Sequence, residues 1–236
     1  MPKIEHTDFY SHVLGREIAV QVTGHEGYPL LMFPTSLGSY TQNHDFKLNQ
    51  SIEWFVTQGK LKLYNIETLD RLTFYHEGLT PWERLKNYDL YMEFLATEYI
   101  PYLQRLHRTP RIAVAGVSFG AYHSANLTFR FPNLVSHAFL LSGLYSIREL
   151  MEGLNDDLVY FNSPEEFVRN DDQAKYTHLQ LVLSTSDQDV CKEPTRRLAA
   201  CLNEKNITHW YDEKIGMPHD WPLWREVLPR FIGAYF

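Results

Sequence analysis

The stretch AGVSFGAYHS, residues 115–124, sets one serine between two glycines at the end of an apolar run. Upstream, RIAVAGVS (111–118) has the continuous apolar character of a strand buried on both faces. Downstream, FGAYHSANLTFRF (119–131) has helical spacing and stops before Pro132. Ser118 therefore falls on a strand-to-helix turn. A side chain at Gly116 or Gly120 would collide with that turn or with the neighbouring strand. Gly-x-Ser-x-Gly alone is a weak signal: with Gly and Ser each near ~7%, a chain of this length matches by chance about one time in twelve. The strand before it and the helix after it give the match its weight. The simpler role for Ser118 is to cap the helix.

The rest of the chain repeats the same alternation. DFYSHVLG and REIAVQVTG, on either side of Gly15, read as a hairpin. YPLLMFPTS (28–36) is a short buried strand, NQSIEWFVTQGK (49–60) a helix stopping at Gly59, and LKLYNIET (61–68) a strand. PWERLKNYDLYMEFLATEYIPYLQRLH (81–107) opens with Pro at a helix start, and Pro101 should kink or split it. SHAFLLSG (136–143), LQLVLSTS (179–186) and THWYDEKI (208–215) read as further strands. EPTRRLAACLNEKN and the closing DWPLWREVLPRFIGAYF read as helices. Strand–helix alternation predicts an α/β fold: a mostly parallel sheet with helices on both faces and the N-terminal hairpin adding antiparallel strands at one edge.

Composition narrows the function. The 236 residues carry no Gly/Ser/Pro-rich linker, which predicts one domain over 1–236. A net charge of −7 argues against nucleic-acid binding, which needs a basic face. No run of about 18 apolar residues is present, so no membrane span is expected. MPKIEHTDFY lacks the apolar core of a secretory leader, and Cys191 and Cys201 form no metal-ligand pattern. Free thiols and a cytoplasmic location are expected, with no metal and no cofactor.

A serine hydroxyl is a poor nucleophile until a base takes its proton. In this topology the order along the chain is serine, acid, histidine. Of the later histidines, His123 lies on the helix after the turn, and His137, His178 and His209 lie at strand starts, the wrong end of the sheet. His219 alone follows the last strand and precedes the closing helix. Asp187 and Asp189, in SDQDVC, both follow the strand before that, and spacing does not choose between them. The oxyanion would meet the N–H of Phe119 at the helix start and a second N–H from PTSLGSY (34–40), with Leu37 the choice and Ser36 close behind. Among the aromatics, Tyr75, Trp82, Tyr88 and Tyr160 could line an acyl pocket, although core packing is the commoner role.

With these residues in place the chain resembles the esterase branch of the α/β-hydrolase superfamily, related to S-formylglutathione hydrolase and to mycolyltransferase-type acyl transferases. The likeness runs over most of the chain. It is carried by FPTSLG (33–38), GVSFGAYHSAN (116–126), LLSGLYSI (140–147), NDDLVYFNSPEEF (155–167) and GMPHDWPLWREVLPRF (216–231). The resemblance implies an α/β-hydrolase fold and a metal-free triad of Ser118, Asp189 and His219, the acid being aligned through the TRRLAACL helix. The family more often has Gly near Ser186, which keeps Asp187 open. A segment at 144–175 is expected to act as a small lid. The implied function is a serine esterase or thioesterase acting on a small ester through an acyl-enzyme, with acyl transfer to an alcohol as a variant and homo-oligomerisation compatible with either. The alternative is a binding or scaffold protein that keeps the fold without the chemistry.

Overall fold

The structure, a computed structural model, describes residues 2–236. Strands β1 (Ile4–Ser11), β2 (Arg16–Thr23), β3 (Tyr28–Phe33), β4 (Leu61–Ile66), β5 (Ile112–Val117), β6 (Val135–Leu141), β7 (Gln180–Gln188) and β8 (Trp210–Pro218) form one sheet. Their order is β1-β2-β4-β3-β5-β6-β7-β8. The pairs β1–β2 and β2–β4 are antiparallel and all others parallel, so the hairpin adds an antiparallel edge to a parallel α/β-hydrolase sheet, as expected.

Period-two alternation divides the core in two. In β5, Ile112 and Val114 face one apolar cluster while Ala113, Ala115 and Val117 face the other. The first cluster is covered by α4 (Pro81–Phe94), α5 (Ile100–His107), α6 (Phe119–Arg130) and α9 (Lys192–Glu204). The second is covered by α10 (Trp221–Tyr235) and by two short turns, α2 (Leu48–Ser51) and α3 (Glu53–Thr57), which follow α1 (Gln42–Asp45). Helix α10 buries Trp221, Leu223, Trp224, Val227, Leu228, Phe231 and Ile232, a stripe at three- and four-residue steps.

Two helices depart from the sequence pattern. The helix expected over 49–60 is broken at Ile52. The Ser51 hydroxyl donates to Leu48 O at 2.7 Å, competing for a carbonyl that the helix ladder would use, and the following bonds tighten to i−3 (Ile52 N to Asn49 O, Phe55 N to Ile52 O). The helix expected over 81–107 opens with a Thr80–Glu83 capping box and passes through a π-turn at Leu95–Tyr99 before α5, whose first turn holds Pro101.

The segment 144–175 contains α7 (Asp157–Phe161) and α8 (Pro164–Asn170). It is clamped to α6: Tyr122 Oη donates to Asn162 O at 2.9 Å, and Asn126 Nδ2 and Arg130 Nη1 each donate to Asn162 Oδ1 at 2.8 Å. Within it, Val159, Asn162, Ser163 and Val168 are fully buried.

Candidate active site

The turn at Ser118 is forced by packing. Its φ of 56° and ψ of −123° lie where side-chain-bearing residues are rarely found, at a cost of about 1–3 kcal/mol. A Cβ on Gly116 would lie 2.0 Å from Gly120 O, and one on Gly120 would lie 2.5 Å from Pro34 O. Both atoms are backbone and neither can yield. The two glycines therefore bring the start of α6 against the end of β3, as expected from the sequence. Phe119 is the first residue of α6, so its N–H has no acceptor within the helix.

Ser118, Asp189 and His219 follow β5, β7 and β8 at the carboxyl edge of the sheet. His219 Nε2 lies 2.9 Å from Ser118 Oγ, and His219 Nδ1 lies 2.7 Å from Asp189 Oδ1. The acceptor-only carboxylate makes Nδ1 the protonated nitrogen, which leaves Nε2 free to accept from the serine hydroxyl. Asp189 has a fully buried side chain, whereas that of His219 is 20% exposed.

Asp187 is occupied elsewhere. Its Oδ1 accepts from Gly216 N at 2.6 Å, and the neighbouring Ser186 Oγ accepts from Met217 N at 3.1 Å. These bonds hold the irregular end of β8 against β7, where the pairing shifts register between Ser186 and Gln188. The shift turns Asp189 inward, and the pinned end of β8 delivers His219 to it. Ser186 fills the position with a hydroxyl acceptor and needs no glycine.

Burial works to raise the Asp189 carboxyl, but the hydrogen bond from His219, the nearby Ser142 hydroxyl and the Cys191 N–H together hold it below the usual aspartate range. Burial works to lower His219; its bond to Asp189 and the adjacent Cys191 side chain outweigh this and raise it to about 9. Asp189 Oδ1 thus accepts from both His219 Nδ1 and Cys191 N, while Oδ2 is buried with no well-formed hydrogen bond. Trp224 buttresses the group: its ring meets the His219 ring edge-on at 5.1 Å, and its Nε1 donates to Ser142 Oγ at 2.9 Å. Asp220 caps α10 through Trp221 N at 2.7 Å.

The loop after β3 carries a surprise. The Leu37 N–H donates to Asp70 Oδ2 at 2.9 Å, with Leu37 at a φ of 56°. Asp70 is buried, and its Oδ1 lies 3.1 Å from Nε2 of the buried His123, whose Nδ1 lies 3.1 Å from Tyr88 Oη. The Leu37 N–H is therefore engaged in this structure, whereas no hydrogen bond from the Ser36 N–H is found among the described residues. Tyr75 Oη donates to Ser36 Oγ at 3.1 Å and its ring packs edge-on against Phe119, which puts Tyr75 beside the site. Of the other aromatics, Tyr88 is core, Trp82 is exposed beside Lys86, and Tyr160 packs on Phe161. A cavity of about 480 Å³ adjoins the loop, lined in part by Leu37, Gly38, Asp70 and Arg71, but its lining does not include Ser118.

Sequence reading did not single out Ser142, Asp70 or Cys191 for this site. Asp70 and Cys191 had no motif to mark them. Ser142, at a φ of 56°, lay in the quoted LLSGLYSI without a role.

A family model described as "Putative esterase" matches residues 11–234. No curated protein matches by sequence. Among solved structures, a ferulic acid esterase superposes with a TM-score of 0.79 at 16% identity, over 100% of both chains. The S-formylglutathione hydrolase of Staphylococcus aureus gives 0.75 at 14% identity, over 99% of this chain and 96% of that one. A fluorophosphonate-binding serine hydrolase of the same organism gives 0.73 at 14%, over 99% and 98%. At these identities the structural likeness bears on the fold. Among the described residues no helix is long and apolar enough to cross a membrane.

Proposed function

The chain belongs to the esterase family, and from that premise we propose that it cleaves a small carboxylic ester or thioester by serine acyl transfer. One observation carries the reading: a continuous line from Ser118 Oγ to His219 Nε2 at 2.9 Å and from His219 Nδ1 to Asp189 at 2.7 Å. In this reading His219 takes the hydroxyl proton as Ser118 Oγ attacks the carbonyl carbon. Asp189 holds the ring in its Nδ1–H tautomer and stabilises the imidazolium that forms. The same proton then passes to the leaving alcohol or thiol as the tetrahedral intermediate collapses. Water, activated by the same base, clears the acyl group from Ser118; an alcohol in its place would make the protein a transferase.

The oxyanion forms within reach of the Phe119 N–H, and a donor of this kind supplies about 3 kcal/mol. For the second donor, the free Ser36 N–H is favoured over Leu37, whose N–H Asp70 occupies. In this role Leu37 and Asp70 shape the loop that presents Ser36. The close packing of 144–175 on α6 fits a fixed wall of a single domain better than a moving lid. The two unbridged cysteines fit a reducing compartment such as the cytosol.

The test is Ser118→Ala assayed on short p-nitrophenyl esters, alongside a fluorophosphonate probe. A fall of roughly 10⁴-fold or more, with labelling of the wild type at Ser118 alone, is expected. Undiminished hydrolysis by purified Ser118→Ala would overturn the reading, and an unlabelled wild type would favour a scaffold protein.

A further inference from the structure

We propose that Asp189, Cys191 and His219 together bind a thiophilic divalent cation such as Zn²⁺, and that the bound ion switches off the base of the proposed ester cleavage. One nitrogen, one sulfur and one carboxylate oxygen from these residues lie within 4.8 Å of one another. A tetrahedral ion holding such ligands at about 2.0–2.3 Å spaces them about 3.4–3.8 Å apart. The cluster's widest separation would close by up to about 1 Å, while the His219 Nδ1–Asp189 Oδ1 pair, at 2.7 Å, would open to the same spacing. Cys191 is half-buried and the His219 side chain is 20% exposed, so two of the three ligands lie at the solvent boundary.

A second observation points to a ligand. Asp189 is 5% exposed, and its Oδ2 has no well-formed hydrogen-bond partner. Apart from the nearby Ser142 hydroxyl, this buried oxygen beside a thiol and an imidazole is open to a cation. Zinc takes this donor set readily, with water as the fourth ligand. Cys191 is set in place by the bond that orients the acid, since its own N–H donates to Asp189 Oδ1 at 2.7 Å.

The ion would act through the tautomer. Nδ1 is the imidazole nitrogen on the Asp189 side, so it is the one that coordinates. Coordination through Nδ1 displaces the proton that this nitrogen carries toward Asp189. The ring is left neutral with its remaining proton on Nε2. That nitrogen still faces Ser118 Oγ but now donates, and it has no lone pair with which to take the hydroxyl proton.

Binding does not depend on the esterase reading; the switching does. The experiment therefore has two readouts. Co²⁺ added to the chelator-treated protein should give a thiolate-to-cobalt charge-transfer band at one ion per chain, present in Cys201→Ala and absent in Cys191→Ala. Zn²⁺ should inhibit ester cleavage and fluorophosphonate labelling reversibly, with chelator restoring both. Each protein is scaled to its own metal-free rate, and the half-inhibiting Zn²⁺ concentration should rise at least tenfold in Cys191→Ala. Circular dichroism confirms that each variant is folded. Absence of the band in the wild type, its persistence in Cys191→Ala, or equal Zn²⁺ sensitivity of the two proteins overturns the proposal. If the protein cleaves no ester, the esterase reading fails while the cobalt band still reports on the metal site.

Discussion

At the scale of single residues, the tension at Ser118 is between activity and stability. Its left-handed backbone is tolerated because the two flanking glycines leave no other path. Ser118→Gly and Ser118→Ala should both be inactive, but the glycine variant should be the more stable by about 1 kcal/mol, because only glycine adopts this φ without strain. Denaturant unfolding of the pair checks this. The charge on His219 makes a second prediction. The base must be neutral to accept a proton, and its pKa is raised to about 9. Thus kcat/KM should climb about tenfold per pH unit from neutrality and level off near 9. Part of that rise comes from Cys191, so Cys191→Ala should move the plateau to lower pH. A pH–rate profile of both proteins measures it. Of these residues, Ser118 and His219 could be found in the sequence because each occupies a unique place in the strand order. Cys191 could not, because its relation to His219 exists only after β7 and β8 pair.

Among elements, the loop after β3 is where local chemistry and packing meet. Its conformation depends on Asp70, which reaches it from a separate turn and is itself held by His123 on α6. Asp70→Asn keeps the shape but removes the charge that grips the Leu37 N–H. With a loop donor misplaced, kcat should drop by about tenfold or more while KM changes little, because the loss falls on the transition state. Steady-state kinetics separate the two effects, and circular dichroism shows whether the fold survives. The sequence carried the loop's turn residues but not its anchor: nothing in the spacing joins Asp70 to His123 across 53 positions. The same limit explains the break at Ile52. Periodicity recorded which side chains face the core, and it was silent on the Ser51 hydroxyl that interrupts the ladder.

Across the whole molecule, the sheet was legible because its parallel strands are covered on both faces and read as continuous apolar runs, as in LLMF of β3 and IAVAGV of β5. Stability against acid belongs to this scale. His137 starts on β6 among Tyr28, Phe139, Tyr235 and Phe236, at the far end of the sheet from Ser118, and burial lowers it from 6.5 to about 4. The unfolded chain binds this proton more readily than the folded one. Stability is therefore fully present above about 6.5, is lost as pH falls toward about 4, and then levels off as far as this residue is concerned. His137→Phe should flatten that slope in melting temperatures measured from pH 7 to 4.

The π-turn at Leu95–Tyr99 also reaches beyond its own helix. Glu98, within it, receives Ser11 Oγ at 2.5 Å, His12 N at 3.0 Å and Val13 N at 3.2 Å, and so clasps the bend between β1 and β2. In a regular α-helix each residue advances the side chains by about 100°, and one fewer residue in that widened turn would swing Glu98 away from the bend. A local irregularity in helical winding is thus the hook on which the outermost pair of strands hangs.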